Sequence, residues 1–417
     1  MKSIRRNLFF LLLIILPVNL GKHFDLDASY ISGIIVDYLV PVLYLQDIVA
    51  LSLIMSWLVS TDLKEIFVFK KRSAVFFVFY IFGLFLSFLS SDYPLTSFSY
   101  FFRIVIYSLV ALYVVNKSEK DFYISELPKF IAFSLLYAGV LGIVQYIKQG
   151  SVFNNYLFLG EQPYNSSIKA ILKENLFNVS FIPPYSTFRH PNTFAGFISL
   201  TLPFLYLYWN TRRKYIYWFI LGLGFICLLL TMSAVALTAF FVSAALIYFY
   251  RKSFALTKYL YLIPLIFIVL GLLLPIGINF PGIKHEPSVY RRIELLNQSY
   301  TNIYTYLPFG IGIGTSTSLF KSSVFLTRDL SFFQPVHNIF VLLLFEGGLV
   351  TFLSFAAFLL FYFRENYLKN KYTLILITQF AVLGSFDHYL MTMHQTLLLS
   401  CLLFGLCLVN KDLLDKK

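Results

Sequence analysis

Residues 187–209 read TFRHPNTFAGFISLTLPFLYLYW, with an arginine, a histidine and a proline set directly against a long apolar run. Proline is favoured at the first helical position, where no N–H is needed, so His190-Pro191 marks a helix start. The run beyond it, 193–209, is too apolar for a helix that faces water. Comparable runs recur at about 7–20, 36–59, 73–90, 96–115, 127–148, 215–231, 233–250, 258–276, 338–363, 372–389 and 394–410. About 20 apolar residues cross a hydrocarbon layer roughly 30 Å thick. Charged residues make up 13% of the chain and the mean hydropathy is +0.76, whereas soluble proteins carry about 25% charge. The expected fold is an all-α polytopic membrane protein of about twelve transmembrane helices, one integral membrane domain over 1–417. The first run lacks a small-residue cleavage site and reads as a retained helix. The break at 231–233 is the least marked boundary.

Lys and Arg set the orientation, because short cytoplasmic connections are enriched in them. The N-terminus (Lys2, Arg5, Arg6) and the alternate connections KEIFVFKKR, NKSEK, NTRRK, YRKSFALTK and RENYLKNK are rich in cations. With Lys129 and the tail they hold 22 of the 33 Lys and Arg. Both termini are then cytoplasmic, and two long loops, about 149–192 and 277–337, lie outside. The net charge of +13 is mostly this bias and gives no reason to expect a nucleic-acid partner. Cys227, Cys401 and Cys407 fall inside helices, so no disulfide framework is implied. All six histidines (His23, His190, His285, His337, His388, His394) fall in outer loops or at outer helix ends, which makes the outer face the chemically equipped side.

The second long loop contains an amphipathic helix. After Pro287-Ser288, apolar residues fall at Val289, Ile293, Leu296, Tyr300, Ile303, Tyr304 and Leu307, a helical stripe suited to a membrane surface or to capping the bundle. At about 100° per residue Arg292 sits roughly 70° from the stripe's centre and Arg291 nearly opposite it. Arg292 therefore borders the apolar side and Arg291 faces water; a solvated basic pair is the plainer alternative. Gly310, Gly312 and Gly314 come after a helix rather than a strand, so they read as a flexible turn and not as a nucleotide loop. No cofactor motif is present. The next helix opens QPVHNIFVLLLFEGGL, with His337 and Asn338 at its outer start. Glu346 lies 2.5 turns deeper on the opposite face, placed to support packing.

Three pieces, FRHPN before a membrane helix, RIELL followed by PFGIGIG in the large loop, and HNIFVLLLFEGGL opening the next helix, together resemble the O-antigen ligase / O-antigen polymerase superfamily of bacterial envelope glycan transferases. The likeness covers roughly 180–360. One position departs from it: TMSAVALTAF aligns with a segment that often reads Thr-x-Ser-Arg, and here Ala234 takes the arginine's place. The resemblance implies a multi-pass protein of the bacterial cytoplasmic membrane with an outward-facing site. Its donor would be a polyprenyl-diphosphate-linked glycan, its acceptor a hydroxyl on a glycan, lipid or protein. It implies direct, inverting, metal-independent transfer. Arg189 and Arg292 would hold the diphosphate, since guanidinium forks match phosphate oxygens, and His337 would take the acceptor's proton. His190, Asn338, Arg103 and Arg291 are candidate supporting residues.

Plainer or competing readings stand beside these. His190 can be a helix cap, His337 an interfacial or capping residue, and Arg103 a buried partner of Asp47 or Glu346. The first outer loop, HFDLDAS, places His23, Asp25 and Asp27 as a metal site for a metal-dependent lipid-phosphosugar transferase, or else caps an interfacial helix. A transporter of lipid-linked glycans would want charge along a central cavity, and only Asp47, Arg103 and Glu346 fall within the bundle. Glu286, Glu294 and Asp329 are dispersed around the large loop, which agrees with chemistry that needs no metal.

Overall fold

The computed structural model describes residues 2–59, 71–115, 120–168, 171–176, 179–209, 211, 213–252, 259–274, 287–319, 325–327, 330–331, 333–367 and 369–408. The chain is mostly helical: α1 Lys2–Ile14, α2 Leu45–Leu58, α3 Arg72–Leu89, α4 Pro94–Val114, α5 Lys120–Lys148, α6 Pro191–Tyr208 and α7 Lys214–Leu230. It continues with α8 Ala234–Arg251, α9 Leu262–Leu273, α10 Pro287–Ile303, α11 Ile339–Asn366, α12 Tyr372–Phe386, the single turn α13 Tyr389–Thr392, and α14 His394–Cys407. Among the described residues its small amount of sheet is four two-stranded antiparallel pairs in the connections, such as Gly21–His23 with Val42–Tyr44 and Glu174–Leu176 with Val179–Phe181.

Each apolar run in the sequence carries a helix, and the break at 231–233 is a turn in which Met232 takes a φ of 55°. Among the described residues five helices are long and apolar enough to cross a membrane: α3, α4, α5, α8 and α11. Their flanks leave large apolar side chains uncovered at helical spacing. On α3 these are Val75, Val78, Phe79, Phe82 and Phe85; the shorter α9 does the same with Leu262, Leu265, Ile266, Val269 and Leu270. Apolar patches this continuous fit hydrocarbon, not water. By contrast α6, the helix of the opening stretch, is wrapped by protein on almost every side, as are α12 and α14. A helix enclosed by neighbours can carry Thr193, Ser199 and Thr201; the last two hydroxyls find backbone carbonyls (Ser199 on Gly196, Thr201 on Phe197).

Two boundaries differ from expectation. The run at 36–59 is helical only from Leu45: residues 36–44 form a short 3₁₀ turn and strand pairing. Pro41 disfavours helix at Val40 before it, and Val36, Val40 and Val42 are β-branched. Asp47 then starts the helix by accepting the Tyr44 N–H at 3.0 Å. The run at 372–389 stops at Phe386, where Asp387 turns extended (φ −154°, ψ 165°). The interfacial helix that HFDLDAS is expected to cap is one 3₁₀ turn, Asp27–Ser29, with no side-chain cap.

Candidate functional site

Two of the sequence motifs are helix starts. His190 is the extended N-cap of α6, and its Nδ1 accepts the Asn192 N–H at 3.1 Å. Since Nδ1 is the acceptor, a neutral His190 carries its proton on Nε2. Asn338 caps α11: its Oδ1 accepts from the Phe340 and Val341 N–H groups at 2.9 and 3.1 Å. Its amide donates to Ser385 O at 3.1 Å, tying the start of α11 to the end of α12. Asn338 is therefore a brace that holds its neighbour His337, as is typical of capping residues.

That brace delivers His337 to His388. The two rings meet edge-on with centroids 4.8 Å apart. Asp387, beside His388, has Oδ2 3.9 Å from an Arg292 Nη, and its Oδ1 accepts the His388 N–H at 2.8 Å. Nδ1 of His388 meets the Thr392 hydroxyl at 2.7 Å. Tyr38 stands edge-on to His388 at 5.5 Å, and the Arg189 guanidinium lies over Tyr38 at 5.7 Å. Arg189 is itself paired with the exposed carboxylate of Asp37. The residues thus run in sequence Arg189, Tyr38, His388, His337, with Arg292 and Asp387 alongside, at the starts of α6 and α11.

Three imidazoles in this setting are held neutral. Burial, then the neighbouring His388 ring and the charge of Arg292, keep His337 well below the usual histidine range. Burial followed by Arg292 and Arg189 pushes His388 down to about 3, and burial takes His190 to about 4. Burial raises Asp387, with Arg292 opposing. Neutral imidazoles beside two permanent cations keep a free ring nitrogen at pH 7, and an anion drawn to those cations would raise its affinity for a proton.

Arg189, Arg292, His337, His190 and Asn338 gather around this cluster, while Arg103 and Arg291 have other surroundings. Arg103 pairs with Asp47 at 3.2 Å, donates to Val42 O at 2.6 Å, and shares Asp47 with the Tyr107 hydroxyl. It is a buried brace between α2 and α4. Arg291 does not face open water; it is half-buried, because α10 caps the bundle against α11 and α9, shielding its flanks as well as its stripe. Leu295 and Leu296 make that contact, Ile293 is buried, and Tyr304, a member of the expected stripe, is exposed. The glycine turn is not flexible. Ile311 and Gly312 donate backbone bonds to Phe345 and Glu346 of α11, and the Glu346 carboxylate accepts from Gly314 N at 2.7 Å and Ser316 N at 3.1 Å.

Residues His23, Asp25 and Asp27 do not gather into a ligand set: Asp25 takes the Tyr30 hydroxyl at 3.1 Å, and Asp27 opens the 3₁₀ turn. Among the described residues the one group of three with metal-ligand atoms, all within 4.8 Å of one another, is His337, Asp387 and His388. A cation there would compete with Arg292 for Asp387. His285, Glu286 and Asp329 lie outside the described residues. Ala234 is exposed at the start of α8.

The sequence shows His388 only as one of six outer-end histidines and gives Asp387 no role, because the apolar run at 372–389 suggests helix to its end. The available signal is FDHY: two polar, titratable residues adjacent at the outer end of an apolar run. No protein-family model matches the chain, and neither does any curated protein.

Proposed function

We propose that this chain is a membrane glycosyltransferase of the O-antigen ligase or polymerase type, working at the outer face of the bacterial cytoplasmic membrane with both termini inside. The observation that carries the reading is the meeting of Arg189, Arg292 and a neutral His337 at the starts of two helices. The helix ends that the cation bias assigns to the outer side are the ones that converge there.

In this reading the diphosphate of a polyprenyl-linked glycan lies between the guanidiniums, which hold its charge as it grows in the transition state. The acceptor oxygen attacks the anomeric carbon from the face opposite the diphosphate and His337 takes its proton. The bond from the anomeric carbon to the diphosphate oxygen breaks, polyprenyl diphosphate leaves, and the centre inverts. His388, edge-on to His337, sets the ring's orientation. Asp47, Arg103 and Glu346, the charges within the bundle, are all engaged by fixed partners, which favours transfer over transport along a charged path.

The test is transfer from a polyprenyl-diphosphate glycan by the purified chain in vesicles, with lipid translocation assayed in parallel. Transfer without translocation, persisting in excess chelator, is the expected result. Translocation alone sinks the reading, and activity that chelator abolishes and magnesium restores would move the chemistry to a metal at His337, Asp387 and His388.

A further inference from the structure

The end of α11 opposite His337 holds a second charged site. Over the 28 residues of α11 the rise is about 40 Å, so the two sites lie at opposite ends of the bundle. There the start of α3 and the end of α11 border an open, shallow cavity of about 460 Å³ lined by Lys71, Arg72, Phe361, Arg364, Glu365 and Lys369. Four cations face one carboxylate. That carboxylate is already engaged, since Glu365 accepts the Ser73 N–H at 3.3 Å and the Ser73 hydroxyl. Lys71 donates to Asn366 Oδ1 at 3.1 Å, and burial with the charge of Lys369 pulls its pKa down. The Arg72 guanidinium lies over Phe361 at 5.7 Å, and Phe361 stacks on Phe76 at 5.0 Å. Among the described residues the side chains of Arg364 and Lys369 hold no ion pair, and both residues are exposed.

The two helices that line the cavity also leave apolar side chains uncovered. Val75, Val78 and Phe79 of α3 and Leu353 and Leu360 of α11 are uncovered on the same helix pair. A surplus of cations at one end and a continuous apolar face running from it suit a ligand with phosphate at one end and hydrocarbon at the other. Basic pockets between helices at a bundle end take anionic lipid headgroups on these grounds. A free phosphate would use the cations and leave the apolar faces without a role.

We propose that this cavity binds the headgroup phosphate of an anionic phospholipid, whose acyl chains lie along α3 and α11. A ligand bound only to the folded state raises the unfolding midpoint as it is added. The experiment is therefore thermal unfolding of the delipidated full chain in detergent, titrated with phosphatidylglycerol, phosphatidylcholine or inorganic phosphate. Phosphatidylglycerol should stabilise the wild type, and the other two should not. At about fivefold per cation, Arg364→Gln with Lys369→Gln should weaken phosphatidylglycerol binding roughly 25-fold. Arg364→Lys with Lys369→Arg, which keeps both charges, should retain it. Lys129→Gln with Arg213→Gln removes two cations elsewhere and should leave it unchanged. Equal weakening in both neutralised pairs, or undiminished binding in the cavity pair, would show that the cavity is not the site. A matching shift with phosphatidylcholine would remove the role of charge, and one with inorganic phosphate would reassign the site to a soluble anion.

Discussion

His337 illustrates how a residue's neighbours decide its chemistry. Its type and place at a helix start are legible in the sequence, but its partner His388 is not, since the two are joined only when Asn338 ties α11 to the end of α12. His337→Gln keeps a polar group of similar size and removes the proposed base, so on the proposed function turnover should fall by about 10²–10⁴ with the unfolding midpoint preserved. Near wild-type turnover would reduce His337 to a positioning residue. The pH profile gives an independent check. A base works when deprotonated, and His337 is held well below the ordinary value of about 6.5. The kcat/KM profile should therefore show no acid limb near pH 6.5. A bound diphosphate adds negative charge and favours the imidazolium, so the limb in kcat should lie above that in kcat/KM. A kcat/KM limb at 6.5 would place the base in an ordinary solvated setting. Arg292 and Arg291 form the third comparison. Arg292 reaches Asp387 beside the histidines, so Arg292→Lys, which keeps charge and loses the fork, should cost roughly ten- to a hundredfold in kcat/KM. Arg291→Ala should cost much less, and equal losses at matched expression would contradict the placement.

Among the elements, helices are easier to read than connections. Helical periodicity and apolar length mark α3 to α9 directly in the sequence. The connections depend on contacts with distant residues, which no local pattern reports. The segment PFGIGIG looks free because its glycines permit many conformations, yet its folded form is bolted to a kink in α11. Gly310 has a φ of 77° and its α-carbon faces the Glu346 backbone, while Gly348 takes a φ of 76° inside the helix and faces Phe309. The Glu346 carboxylate closes the junction on two N–H groups. Glu346→Ala leaves those donors buried without an acceptor, at about 1–3 kcal/mol each. It should lower the unfolding midpoint and also slow transfer, because the same turn joins α10, with Arg292, to α11, with His337. Gly310→Ala should do both more severely. A variant of Glu346 with unchanged midpoint and unchanged turnover would show the turn to be independent of the helix.

For the whole molecule, composition alone separates a membrane protein from a soluble one, and the uncovered apolar flanks of α3 and α9 agree with it. The orientation rests on cation counts. Ser166, exposed in the first long loop, provides its test: Ser166→Cys in a background lacking the three native cysteines should react with an impermeant thiol reagent on intact spheroplasts. Protection until lysis would reverse the topology and remove the outer-face mechanism. The lack of any local sign for the Asp47–Arg103 pairing shows the limit of reading the bundle from sequence. Both residues are visible there, and Glu346 is an equal candidate partner until the fold places α2 against α4.

Each site arginine keeps a carboxylate as a resident counter-ion, Asp37 on Arg189 and Asp387 near Arg292, and the two differ in how firmly they stay. Asp37 is 65% exposed on a short turn, whereas Asp387 is 7% exposed and fixed to the neighbouring backbone. An arriving anion can therefore exchange with Asp37, releasing it to water at little cost, but must share Arg292 with a carboxylate that cannot leave. A small monovalent ion gains almost nothing from such an exchange, since it replaces one single charge by another. A ligand with two linked phosphates gains from both guanidiniums at once. On the proposed function, the arginine pair would thus be screened against the chloride and carboxylates of its surroundings, and would select its ligand by charge number before any sugar is recognised.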